Sequence, residues 1–291
     1  MADKIKEVLK EYTKLTEEKI EINIKAILDG KMAENKNKKV YRTILSCIDL
    51  TSLNTTDTEE GIANLTENVN NFGDKYPELP NIAAICVYPS FVKTVRETLT
   101  EGIEIAAVTG GFPHSQTFLE IKIAETALAI ADGASEIDVV FPIGKLLDEK
   151  YSEIVDEIQE IKAVCKEKHL KVILESGTLN IANLQKAAIL AMESGADFIK
   201  TSTGKLQPAA TTTAAYCMCQ MILEYYQKSG RKVGFKAAGG VTTTDEALKY
   251  YCIVESILGK EWLNNELFRF GATNLANNVV SDILGKKALC F

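Results

Sequence analysis

Short apolar runs rich in β-branched residues alternate along this chain with longer stretches whose apolar positions recur at helical spacing. The short runs predict strands over Thr43–Ile48, Ile82–Tyr88, Ile103–Thr109, Glu136–Phe141, Lys171–Glu175, Phe198–Thr201, Val233–Ala237 and Arg269–Gly271. The longer stretches predict helices such as Thr117–Asp132, Tyr151–Lys168, Ile181–Ser194, Ala209–Lys228 and Thr244–Ile257. Eight strands alternating with helices point to a parallel α/β fold. At 291 residues the fit is a (β/α)8 TIM barrel. A doubly wound open sheet is the alternative, but no GxGxxG opens an early helix.

A weak internal repeat supports the barrel. Ala131–Asp138 and Glu193–Lys200 share one layout: a helix end, a Gly-Ala turn, then a strand ending in a polar residue. Glycine suits the left-handed position that closes a helix. Residues 41–291 are therefore expected to form the barrel. Residues 1–40 read as an N-terminal helical extension followed by a polar link over Lys31–Lys39. Ile20, Ile22, Ile24, Ile27 and Leu28 give that extension apolar material to bury, so it is expected to cap the barrel's N-terminal end or to form an oligomer contact, as in a homodimer.

Composition narrows the function. The formal charge of −7 argues against nucleic acid and anionic membrane as main partners. No apolar stretch approaches the ~20 residues of a membrane span. The charged N-terminus lacks a signal-peptide core, so a cytoplasmic protein is expected. Seven cysteines, an odd number without CxxC, read as apolar core residues in a reducing compartment. With only His114 and His169, a zinc site built on two or three histidines is disfavoured. His169 reads as an exposed helix end, and His114 as a loop or pocket-rim residue.

The candidate chemistry lies in two lysines. Lys200 and Lys236 each end an apolar strand run and are each followed by small residues and glycine. Lysine is rarely fully buried. Desolvation and a neighbouring cation lower a lysine's pKa and turn its amine into a nucleophile. One of the pair should form an imine and the other keep it deprotonated; the pattern alone does not say which. Polar residues at the C-terminal ends of barrel strands are catalytic candidates, which adds Asp49, Cys86, Asp138 and Glu175. Asp138 reads both as a buried ion-pair partner and as a proton-transfer group. Glycines at Thr203-Gly204-Lys205, Gly239-Gly240-Val241 and Gly271-Ala-Thr273-Asn274 follow three successive strands and suit a phosphorylated ligand.

At these residues the sequence resembles the deoxyribose-phosphate aldolase family of class I aldolases. The motifs that carry the resemblance are Ile-Asp49-Leu-Thr51-Ser-Leu53-Asn54, Ala-Ile-Cys86-Val-Tyr-Pro, Gly-Phe-Pro-His114, Glu-Ile-Asp138-Val-Val, Phe-Ile-Lys200-Thr-Ser-Thr-Gly204-Lys205 and Gly-Phe-Lys236-Ala-Ala-Gly239-Gly240. The resemblance implies a (β/α)8 barrel with no metal and no organic cofactor, acting on a small phosphorylated sugar. It implies that Lys200 forms the Schiff base, and that Lys236 perturbs it and serves a proton relay with Asp138. By the same match Asp49 supports the lysines. Thr51, Leu53, Asn54 and Cys86 line the pocket, Thr203 binds substrate beside them, and Gly204, Lys205, Gly239, Gly240, Thr273 and Asn274 hold phosphate. A nucleophile pKa of about 7–8 would suit neutral pH. The chain departs from the family at Ala237, Thr242, Thr273, Asn274 and the C-terminal Phe291, which stand where proline, arginine, two serines and a tyrosine are common. Two other readings remain: a Schiff-base aldolase for another phosphorylated sugar, and a catalytically silent barrel that binds a sugar phosphate.

Overall fold

A computed structural model describes residues 2–291, with side chains from Ile5 onward; Met1 of the expected extension lies outside the described residues. Three helices come first: α1 (Ala2–Lys10), α2 (Glu17–Asn35) and α3 (Lys38–Ser46). The barrel begins with β1 (Ile48–Thr51), α4 (Glu59–Lys75), β2 (Ala84–Val87), α5 (Val92–Thr98), β3 (Glu104–Thr109) and α6 (Leu119–Asp132). It continues with β4 (Glu136–Val140), α7 (Ile143–Leu147), α8 (Tyr151–Cys165), β5 (His169–Ile173), α9 (Ile181–Glu193), β6 (Phe198–Lys200) and α10 (Thr212–Ser229). The last units are β7 (Gly234–Ala238), α11 (Thr244–Leu258), β8 (Phe268–Ala272) and α12 (Leu275–Leu284).

All eight strands are parallel and pair in chain order, and β8 returns to β1 to close the barrel. Side chains alternate across each strand. Ile137 and Val139 of β4 face the helical layer and join the main apolar core. Ala84, Cys86, Ala106 and Val108 form a separate small apolar cluster with Leu53. Charged residues of β1 and β4–β8 meet one another elsewhere in the interior.

The Gly-Ala repeat is visible in the hydrogen bonds. Gly133 (φ +120°) donates to Ile130 and Ala134 to Ala129; Gly195 (φ +100°) donates to Met192 and Ala196 to Ala191. In each copy the next residue donates to the neighbouring strand, Ser135 to Ile105 and Asp197 to Leu170. One loop type thus ends the helix and launches β4 or β6.

Three expectations are corrected. Thr43–Ile48 is not a strand: Val40, Tyr41, Ile44 and Leu45 are buried at helical spacing in α3, Asn37 caps the helix by accepting from Lys39 and Val40, and β1 begins only at Ile48. The polar link shrinks to Lys36 and Asn37, since α2 runs to Asn35, whose buried amide donates to Glu255 at 2.8 Å. His169 is not a helix end; it opens β5.

The extension packs against the outer helices of the barrel. α2 lies against α10 and α11, α1 against α8, and α3 against α11 and α12. Ile20 and Ile24 are buried, whereas Ile22 faces solvent. At the other terminus, Asn277 accepts from the Cys290 and Phe291 N–H groups, and the Phe291 ring packs on Phe72.

Candidate active site

The C-terminal ends of β1, β6, β7 and β8 surround a cavity of about 240 Å³. Thr51, Leu53, Asn54, Lys200, Thr203, Gly204, Lys205, Gly239, Gly240, Thr273 and Asn274 all line it. Asp49, Cys86, Asp138 and Lys236 do not; they are fully buried. His114 is exposed in the loop after β3 and does not line the cavity.

Backbone geometry shapes the cavity wall. Gly239 and Gly240 have φ of +86° and +83°, a region that strains residues with a Cβ. A Cβ on Gly239 would lie 2.7 Å from Ala209 Cβ and 2.9 Å from Gly204 Cα, so the two glycine loops touch. Thr273 Oγ1 donates to the Thr51 carbonyl at 2.8 Å, tying the loop after β8 to β1. Lys205 Nζ donates to the Leu53 carbonyl. Thr242 lines the cavity, but its hydroxyl and N–H both donate to Glu246, which caps α11.

The buried charges form one connected set. Asp138 Oδ2 accepts from both Lys200 Nζ, at 2.8 Å, and Lys236 Nζ, at 2.7 Å. Its Oδ1 accepts from Lys171 Nζ at 3.1 Å. Lys236 also donates to Asp49, and Lys171 to Glu136. Arg269 completes the set: Nη1 donates to Asp49 Oδ1 at 2.7 Å and Nη2 to Glu136 Oε1 at 2.9 Å. Strand register sets Asp138 beside Lys171, Lys200 beside Lys236 and Lys236 beside Arg269, while the bonds from Lys236 to Asp138 and from Arg269 to Glu136 cross the interior between strands that are not neighbours.

The electrostatics follow from this packing. Burial disfavours the Asp138 carboxylate, but Lys171, Lys200 and Lys236 outweigh it and hold its pKa well below the usual range. Asp49 and Glu136 are likewise lowered despite burial, Asp49 chiefly by Lys236 and Arg269, and Glu136 chiefly by Lys171. Burial opposes the Lys236 ammonium, yet Asp138 and Asp49 raise its pKa. Lys171 is raised in the same way, by Asp138 and Glu136. Lys236 is thus a fixed cation beside Lys200. Burial raises the Cys86 thiol, so this cysteine is a pocket-support residue rather than a thiolate.

Glu136, Lys171 and Arg269 were not expected at the site. The signal was present: each is a charge inside an apolar strand, and Glu136 shares its face with Asp138 by the two-residue period. Arg269→Met is expected to cost about 3 kcal/mol, because it strands hydrogen bonds on two buried carboxylates; urea unfolding measures this. His169 extends the set outward, with Nδ1 3.5 Å from Glu136 Oε1, and Glu136 raises its pKa against the effect of burial.

The DeoC/LacD family aldolase profile matches residues 43–254, which takes in β1 through β7. The chain belongs to the DeoC/LacD family of aldolases. Within it, a Caenorhabditis elegans relative is 41% identical over 254 residues, covering 85% of this chain and 83% of the relative. The deoxyribose-phosphate aldolase of Bos taurus is 37% identical over 290 residues, covering 91% of this chain and 90% of that one. A crystal structure from Toxoplasma gondii shares the fold at a TM-score of 0.76 and 24% identity, over 89% of this chain and 99% of that one. Among the described residues no helix is long and apolar enough to cross a membrane.

Proposed function

We propose that this aldolase cleaves 2-deoxy-D-ribose 5-phosphate reversibly to D-glyceraldehyde 3-phosphate and acetaldehyde, through a Schiff base on Lys200. The carrying observation is that Lys200 alone, among the four cations of the buried set, lines the cavity. It also has one carboxylate partner, where Lys236, Lys171 and Arg269 each have two or more. Three carboxylates face four cations, so loss of one proton neutralises the set. Lys200 is the member of the set that meets substrate. The named substrate is supported by the Bos taurus relative, which covers nine-tenths of both chains.

In this reading the Lys200 amine adds to the C1 aldehyde of the open-chain sugar, takes up one proton and expels water, leaving a protonated imine whose proton is returned on hydrolysis. A base acting through water takes the C3 hydroxyl proton. The C2–C3 bond then breaks and its electron pair moves into the imine as an enamine, releasing glyceraldehyde 3-phosphate. Protonation at C2 and hydrolysis release acetaldehyde and restore Lys200. The proton relay is assigned to Asp138, which accepts from both Lys200 and Lys236 on one carboxylate oxygen, with Lys236 holding it in place. The phosphate is assigned to Gly204, Lys205, Gly239, Gly240, Thr273 and Asn274, with Thr51, Leu53 and Asn54 against the sugar. A cytoplasmic enzyme fits the seven free cysteines. A homodimer is the proposed assembly, for which Phe118, Ile121 and Leu128 supply an exposed apolar face on and beside α6; light scattering tests it.

The test is borohydride reduction with deoxyribose 5-phosphate, followed by peptide mapping. A reduced adduct on the Lys200 peptide is expected. An adduct on Lys236 would exchange the lysine roles. Sugar-phosphate binding with no adduct would favour a silent barrel. Lys236→Leu should move the acid limb of the pH–rate profile up by roughly 1–3 pH units, because without the neighbouring cation Asp138 would favour the Lys200 ammonium more strongly. An unchanged profile would remove the role given to Lys236.

A further inference from the structure

Glu175 ends the run after β5 and is 2% exposed. Among the described residues no lysine, arginine or histidine pairs with it. Its partners are both on Thr203: the Thr203 N–H donates to Oε1 at 3.2 Å and the Thr203 hydroxyl to Oε2. An unpaired buried carboxylate is costly and is kept only where its hydrogen bonds hold something in place. Its backbone is left-handed at φ +48° and ψ +53°, which is strained for glutamate. Thr178 pins that conformation, with its N–H and hydroxyl donating to the Glu175 carbonyl at 3.0 and 2.8 Å. The same loop meets the next one a second time. A Cβ on Gly177 would lie 1.7 Å from the Pro208 carbonyl oxygen. The segment from Thr203 to Pro208 is therefore fastened to the loop after β5 at both ends.

Thr203 has one hydroxyl proton and gives it to Glu175, while the same oxygen accepts from the Lys205 N–H at 3.1 Å. Thr203 thus has neither its N–H nor its hydroxyl proton free for a ligand. Thr203, Gly204 (φ +78°) and Lys205 all line the cavity, but with Thr203's donors taken, Gly204 and Lys205 are left to meet a ligand. We infer that Glu175 is a positioning residue: it locks Thr203 so that Gly204 and Lys205 are presented, already ordered, to the phosphate of the substrate. The inference rests on the proposal that these two residues hold phosphate.

The test compares 2-deoxy-D-ribose 5-phosphate with unphosphorylated 2-deoxy-D-ribose. Glycine accepts the left-handed backbone without strain, so Glu175→Gly removes the side chain and its hold on Thr203 without adding a backbone clash. Its KM for the phosphorylated sugar should rise about 10-fold or more, with kcat/KM for 2-deoxyribose as in the parent. A parent-like KM for the phosphorylated sugar would overturn the inference. So would an equal loss on both sugars, which is damage to the barrel and not to phosphate presentation. If the glycine variant does not fold, Glu175→Gln keeps the shape and one acceptor but turns the other into a donor facing Thr203, so a smaller rise in KM, still confined to the phosphorylated sugar, is expected; an equal loss on both sugars would again overturn the inference. A parent enzyme that does not discriminate between the two sugars would sink the phosphate assignment itself, before any variant is made.

Discussion

Lys200→Ala should lose turnover by on the order of 10⁴-fold or more, give no borohydride adduct, and melt at or above the temperature of the parent. The first two results follow from removing the imine-forming amine. The third is less intuitive, because deleting a buried lysine normally strands its partner. Here Asp138 keeps Lys171 and Lys236, and the remaining set has three carboxylates against three cations. The vacated space opens onto the cavity, so water can enter it. A turnover assay, reductive trapping and a thermal melt together check the claim. A folded, active alanine variant would end the Schiff-base assignment.

Asp138→Asn should have the opposite balance of effects. It leaves two carboxylates against four cations and a single amide oxygen where three lysines had a carboxylate. The expected loss is in the upper part of the ~3–5 kcal/mol found when a buried ion pair is broken, together with slowed proton transfer. Its pH dependence should identify the cause. In the parent, Lys171 and Lys236 have raised pKa values. Their stabilisation is complete below the unfolded value near ~10.4 and is lost as pH rises through the folded values. In the variant the crowded ammoniums are disfavoured, so the unfolded state binds more protons and stability should climb with pH through about 8–10. Urea unfolding across that range checks it. A loss confined to substrate affinity, with parent-like stability, would count against Asp138 as the hub of the set.

The barrel was legible in the chain because each βα unit carries its own punctuation. Gly133 and Gly195 end helices in the same way, and β4 and β6 follow at once. The start of β1 was not legible, since Val40–Leu45 is apolar enough for a strand and only the burial pattern shows it to be a helical stripe. At the site, glycine-flanked lysines announce themselves against an apolar background. Arg269 and Lys171 do not, because their meaning lies in register: which charge stands beside which is decided by the closure of the sheet and not by neighbours in sequence. Glu175 lay between these cases. Its position at a strand end marked it, but its role depends on Thr203, 28 residues away.

Arg269 reaches Asp49 across the seam where the eighth strand meets the first. A polypeptide is made from its N-terminus, and domains fold as synthesis proceeds. A nascent chain stalled before β8 would already contain Lys200, Lys236 and Asp138, yet Asp49 and Glu136 would lack their guanidinium and the sheet would have an open edge. The arrival of the eighth strand is therefore the event that seals the interior.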